Sequence, residues 1–328
     1  MVTIKDIAKL AGVSSATVSK VLNGKDKSIS SKTRERILNI VEEQGYIPNG
    51  IAKSLRVKST KTFGLVIPNV TNPFFSELAK GIEDASEAEG YSLILCSTYG
   101  KDNREKQYLK ILEEKKVDGA IIAASTKEDI EVIDRVSYPI VLLDRDVVVG
   151  SNIGKVIVDN EYGGYIATKH LVEAGCKNIG HITSSLKDNP SMNRHKGMLK
   201  ALKDFDIEIN ESLYYYGKFS IDTGYEGAKM ITRNNKVDGI FCGNDIIAIG
   251  AIRGLKEMGY RVPEDIKIVG YDDIYISKYM DPPLTTVRLP IYSIGSNAVE
   301  VLLGMISNNK KGNKRKLIPQ LVIRDSAK

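Results

Sequence analysis

The chain has 328 residues, 47 Lys and Arg against 41 Asp and Glu, and 42% hydrophobic residues; one hydrophobic core rarely serves such a length, so at least two domains are expected. Cys96, Cys176 and Cys242 are far apart and odd in number, and Lys5 and Asp6 precede any apolar run; this excludes a disulfide scaffold, a cysteine metal site, a signal peptide and a membrane span, and the expected location is the cytoplasm. The charge surplus is local: residues 1–59 hold eleven Lys and Arg against five Asp and Glu, and the rest of the chain balances, so the basic head is expected to meet a polyanion.

Thr3-Ile4-Lys5-Asp6 has the form of a capping box, in which hydroxyl and carboxylate satisfy the free amides of a helix start. Ile4, Ile7, Ala8 and Ala11 follow at helical spacing, and Gly12 stops the run. Ser14 caps a second helix that reaches Asn23 and ends at Gly24. Only Gly12 and Val13 separate the two, a turn that sets the second helix steeply across the first. Ser30 opens a third helix, with Ile37, Ile40 and Val41 on one face and Gly45 at its end. Val18, Val21 and Leu22 point to the core of this trihelical head. Ser15, Ala16, Ser19, Lys20 and Asn23 share the other face and are small or polar, so that face fits against base edges in a major groove.

Thr3-Ile4-Lys5-Asp6-Ile7-Ala8, Ala11-Gly12-Val13-Ser14, Ala16 to Asn23 and Gly45-Tyr46-Ile47-Pro48-Asn49 resemble the head of the lactose-repressor and galactose-repressor family of bacterial regulators, and the resemblance runs colinearly over essentially the whole chain. It implies base readout by Ser15, Ala16 and Lys20. Many members carry Arg where Lys20 stands, and Lys lacks the bidentate fork that selects guanine. The resemblance also implies that residues 48–60 form a hinge, helical only when two copies meet on DNA, with Leu55 wedged into a minor-groove step. The expected DNA-facing set is Thr3, Ser14, Ser15, Ala16, Thr17, Ser19, Lys20 and Asn23 in the head (1–47), with Asn49, Ala52 and Leu55 in the hinge.

From Phe63, short apolar runs alternate with amphipathic segments: strands over 63–68, 91–98, 117–125 and 139–145, helices over 73–90, 102–115 and 127–136. The alternation restarts after Asp159-Asn160, with strands near 179–183, 239–244 and 266–271. Apolar strands between helices predict parallel sheets covered on both faces, and a ligand cleft beyond their carboxyl ends. Polar groups gather there: Asn72 with Phe74 and Phe75, Asp144 with Arg145, Arg194, Asn244 with Asp245, and Asp272. By resemblance the body (61–328) is similar to the type I periplasmic-binding-protein fold, with lobe one at 61–160 and 291–320 and lobe two at 161–290 and 321–328. The fold class is an all-α helix-turn-helix head on a two-lobed α/β body with parallel sheets. The effector-site motifs resemble those of ribose-operon repressors. They imply a sugar ring sandwiched by Phe74, Phe75 and Phe219 and hydrogen-bonded by Asp144, Arg145, Arg194, Asn244, Asp245 and Asp272. A purine-sensing relative grips its base with an arginine and a threonine where this chain has Asp188 and Pro190, which argues against a purine.

The run Lys310, Lys311, Lys314, Arg315, Lys316 sits among Asn308, Asn309, Gly312 and Asn313 and reads as a solvated loop. The sequence has no nucleophile elbow, phosphate-binding glycine loop or metal-ligand cluster, and His170, His181 and His195 have no partner spacing. No enzyme activity and no cofactor are expected. The reading is a repressor that binds a near-palindromic double-stranded operator as a homodimer and answers to a sugar, ribose first. The alternatives are a catabolite regulator with a phosphoprotein corepressor and a regulator answering to another metabolite.

Overall fold

A computed structural model describes residues 2–47, 59–101, 103–123, 133, 135–145, 153–308 and 312–328. The chain divides into two compact units, residues 1–60 and 61–328. In the first, α1 (Ile4–Leu10), α2 (Ser15–Leu22) and α3 (Ser31–Glu43) each begin at a side-chain cap, from Thr3, Ser14 and Ser30 respectively. Thr3 and Asp6 complete the capping box. Gly12 takes φ of +62°, which an L side chain rarely adopts, and so permits the tight turn into α2. Ile7, Ala8, Ala11, Val18, Val21 and Ile37 form the core of the head.

The second unit carries two six-stranded sheets. The first contains β1 (Thr62–Ile67), β2 (Ser92–Ser97), β3 (Gly119–Ile122), β4 (Ile140–Leu143), β5 (Ile153–Val158) and β11 (Lys314–Leu317), in the order β11-β5-β4-β3-β1-β2, all parallel. Its helices are α4 (Pro73–Ala88), α5 (Arg104–Glu114) and α10 (Ile291–Asn308). The second sheet contains β6 (Ile179–Ser184), β7 (Tyr214–Gly217), β8 (Gly239–Cys242), β9 (Lys267–Asp272), β10 (Thr285–Arg288) and β12 (Gln320–Val322), in the order β12-β10-β9-β8-β6-β7. Helices α6 (Asn160–Glu173), α7 (Asn189–Asp204), α8 (Ile221–Arg233) and α9 (Asp245–Glu257) belong to it. Nearly every residue of β1, β3, β4, β6 and β8 is buried, which is why β1, β3, β4 and β8 read as continuous apolar runs.

Three details differ from the sequence reading. The run read as a solvated loop becomes in part the edge strand β11, Lys314–Leu317, because alternate residues face opposite sides: Arg315 bonds Asn297 and Glu300 of α10, and Lys316 pairs with Asp159. Lys310 and Lys311 lie outside the described residues. The second sheet is not wholly parallel, since β12 runs antiparallel to β10, with Gln320 opposite Arg288. Gln320 therefore sits with the second sheet and not with the first. The helix expected over 127–136 falls mostly outside the described residues.

Candidate DNA-binding head and effector cleft

In the head, the α2 face opposite Val18 and Val21 presents exposed Ala16, Lys20 and Asn23 and half-buried Ser15 and Ser19, while half-buried Thr17 lies on the side of Val21, one turn before it. Two of its polar groups also hold the helix. The Ser14 hydroxyl accepts from the Thr17 amide at 3.2 Å and contacts the Thr17 hydroxyl at 3.0 Å. The Asn23 amide donates to the Ser19 carbonyl at 2.6 Å. Thr3 is committed to its capping box. Asn49, Ala52 and Leu55 lie outside the described residues.

In the body, parallel topology puts the carboxyl ends of β1, β4, β6, β8 and β9 at the same side of their sheets. Asp144 follows β4 and Asp272 ends β9, and both adopt positive φ, +52° and +106°. Such a conformation is costly for a side chain other than glycine and is kept where the surroundings fix it. Arg194, buried on α7, meets both carboxylates: its Nη2 lies 4.0 Å from Asp144 Oδ2 and 3.7 Å from Asp272 Oδ1. Its Nη1 donates to the Gly243 carbonyl at 2.7 Å and its Nε to Asn160 Oδ1 at 2.8 Å. The placement depends on close packing of α6 on α7, where a Cβ at Gly164 would overlap the Arg194 carbonyl.

The electrostatics are unbalanced in a useful way. Burial pushes the Asp272 carboxyl well above the usual carboxylate range, against the pull of Arg194. Among the described residues its buried Oδ1 has no hydrogen-bond partner, since 3.7 Å to Arg194 is too long for one. A buried acceptor left open in this way costs stability and suits a ligand hydroxyl or N–H.

The other expected cleft residues divide. Asn72 caps α4 by accepting from the Phe74 amide, and Phe74 and Phe75 follow edge to face with ring centres 5.0 Å apart at the end of β1. Arg145 is half-buried beside Asp144. Phe219, past the end of β7, packs on the second lobe's core. Asn244 and Asp245 both serve the fold, and for Asp245, wholly buried with its oxygens accepting from three donors, this corrects the expected ligand role. The Asn244 side chain is buried and caps α9 through the Ile247 amide. Asp245 is wholly buried and accepts from the Ile274 amide, the Ser277 hydroxyl and the Thr286 hydroxyl. Their oxygens are taken by the protein, because the start of a helix needs acceptors for its own amides and for the turn packed on it. Asn160 and Tyr271 are the residues that sequence reasoning missed. Asn160 Nδ2 donates to Asp144 Oδ1 at 2.7 Å, and its Oδ1 accepts from Arg194 and, at 3.2 Å, from the Tyr271 hydroxyl. The signal was Asp159-Asn160 itself, a polar pair opening a helix after an apolar strand.

Residues 3–49 match the sequence pattern of bacterial regulatory proteins of the lacI family, and residues 168–327 match a periplasmic binding protein-like domain. The HTH-type transcriptional repressor PurR of Vibrio vulnificus is 37% identical over 334 residues, spanning 100% of this chain and 99% of that protein.

The chain belongs to the lacI family of bacterial regulatory proteins.

As a lacI-family member it is a DNA-binding transcriptional repressor with an effector-binding domain, and not an enzyme. The lac repressor dimer bound to operator and an anti-inducer superposes with a TM-score of 0.88 at 28% identity, covering 99% of both chains. A lacI-family regulator of Enterococcus faecium with bound ribose superposes with a TM-score of 0.74 at 32% identity, covering 81% of this chain and 98% of that one. Among the described residues no helix is long and apolar enough to cross a membrane.

Proposed function

We propose that this repressor holds a near-palindromic operator as a homodimer and that a small polyhydroxylated ligand, a pentose of the ribose class first, controls its grip. The observation that carries the ligand class is the trio Asp144, Arg194 and Asp272, in which one buried carboxylate oxygen of Asp272 accepts no hydrogen bond among the described residues. Carboxylates beside a guanidinium offer acceptors and donors together, which a sugar's hydroxyls answer with both. Phe74 and Phe75 supply the apolar faces for its C–H surface. The ribose-bound Enterococcus faecium regulator supports this class, and the operator-bound lac repressor dimer supports the DNA and dimer reading. Ligand binding shifts the lobes and with them the heads, with a coupling on the order of 1 to 3 kcal/mol.

A second reading has its own support: the full-length relatives named PurR favour a purine-related ligand, which would meet Asp272 and Arg194 through ring N–H groups and acceptors. A thermal-shift series on the full-length protein with D-ribose, other pentoses, hexoses, hypoxanthine and guanine separates the two. A bound ligand at a hundredfold excess over its Kd stabilises by about 2.7 kcal/mol. Stabilisation by D-ribose or another pentose is expected; stabilisation by hypoxanthine or guanine with indifference to every sugar overturns the sugar reading.

A further inference from the structure

We infer that Asn160 is a positioning residue that ties the two lobes together and sets the resting width of the cleft between them. The inference rests on the cleft described above and does not depend on which ligand occupies it. Asn160 opens α6 immediately after β5, where the chain first passes from one lobe to the other. Its side chain is buried, with 3% of the residue exposed, and both ends of its amide are used. The Nδ2 donates at 2.7 Å to Asp144, which follows β4 of the first sheet. The Oδ1 accepts from Arg194 of α7 and from Tyr271 of β9, both in the second lobe. By contrast Arg194 reaches Asp144 directly only at 4.0 Å, beyond hydrogen-bond range. Asn160 therefore makes a short polar link between the lobes at this point, its amide nitrogen donating to a carboxylate while its amide oxygen accepts from a guanidinium.

The chemistry provides its own test by reversal. Asn160→Asp keeps the acceptor for Arg194 and Tyr271 but sets a carboxylate against Asp144. Adding Asp144→Asn restores one hydrogen bond with its direction inverted, and asparagine tolerates the positive φ at this position. Paired spin labels on α4 and α8 of the full-length protein read the distance between lobes without sugar or DNA. Amide exchange in β4 and β5 reads the strength of the tie. Asn160→Asp is expected to lengthen and broaden the label distances and to raise exchange by about tenfold, the factor that loss of one hydrogen bond to a charged group represents. The double variant is expected to return both readouts toward the parent. If Asn160→Asp does not fold, Asn160→Ala carries the same expectation of widening without a new charge. Unchanged distances in the folded single variants, or no recovery in the double variant, overturn the inference. Failure of every sugar to bind would overturn the ligand reading alone and leave this result standing.

Discussion

The guanidinium of Arg194 lies over the ring of Tyr271, with its carbon 3.8 Å from the ring centre. The same arginine bonds Asn160 and the Gly243 carbonyl and faces two carboxylates. A cation stacked on an aromatic face and bonded along its edges has one orientation available to it. Burial raises the Tyr271 hydroxyl well above its ordinary range, so it stays protonated and keeps donating to Asn160.

Arg194→Met is therefore expected to destabilise the protein by about 3–5 kcal/mol, because it leaves Asp144 and Asp272 facing each other with no cation between them. Urea unfolding at neutral pH measures this. A loss under about 1 kcal/mol, the range of an exposed ion pair, would show that the trio is not coupled.

Asp245 is a structural carboxylate, and Asp245→Ala strands three donors, the Ile274 amide and the Ser277 and Thr286 hydroxyls. The expected cost is about 3 kcal/mol or more, at roughly 1–3 kcal/mol for each stranded group. Calorimetric unfolding with and without ligand distinguishes this from a binding role: the variant loses melting temperature in both states by a similar amount. A ligand affinity that collapses at unchanged stability would return Asp245 to the cleft.

His181 is wholly buried between Phe241 and His195, with ring centres 4.9 and 5.4 Å away. Burial lowers its pKa from 6.5 to about 3, and burial also lowers that of His195. Below pH 6.5 the unfolded chain takes up a proton that folded His181 refuses, so the contribution to stability is present above 6.5 and is lost as pH falls toward 3. His181→Phe preserves the stack and removes the titration. From pH 6.5 to 5 the parent is expected to lose about 1–2 kcal/mol more than the variant. Parallel stability profiles for the two proteins would rule this out.

On DNA, Lys20→Ala should reduce discrimination of the operator from mutated sites by about 1–3 kcal/mol. Leu55→Ala should weaken operator binding far more than binding to random DNA, since a minor-groove wedge acts only on the bent specific site. Fluorescence anisotropy on both DNAs at several salt concentrations checks each. Equal losses on operator and random sequence would mean that the two residues contact only the backbone.

The sequence by itself determined the features whose causes are local. A hydroxyl three residues ahead of a free amide caps α1, α2 and α3, a glycine at Gly12 turns the chain, and apolar runs between amphipathic segments become buried parallel strands. Caps, turns and periodicity need only neighbours along the chain, so the head and the strands β1 to β4, β6, β8 and β9 were legible before any coordinates, whereas β5, β7, β10 and β12 were not read and β11 was read as a loop. Tertiary structure decided which polar side chains are spent on the fold. Asp245 and Asp272 look alike in sequence, each acidic and at a strand's carboxyl end. The first accepts from Ser277 and Thr286, whereas among the described residues the second has one oxygen that accepts no hydrogen bond. Asn160 acquires its role from Arg194, 34 residues on, and Tyr271, 111 residues on. Whether a buried carboxylate or amide is spent or free depends on donors brought from remote segments, and no local pattern encodes their arrival.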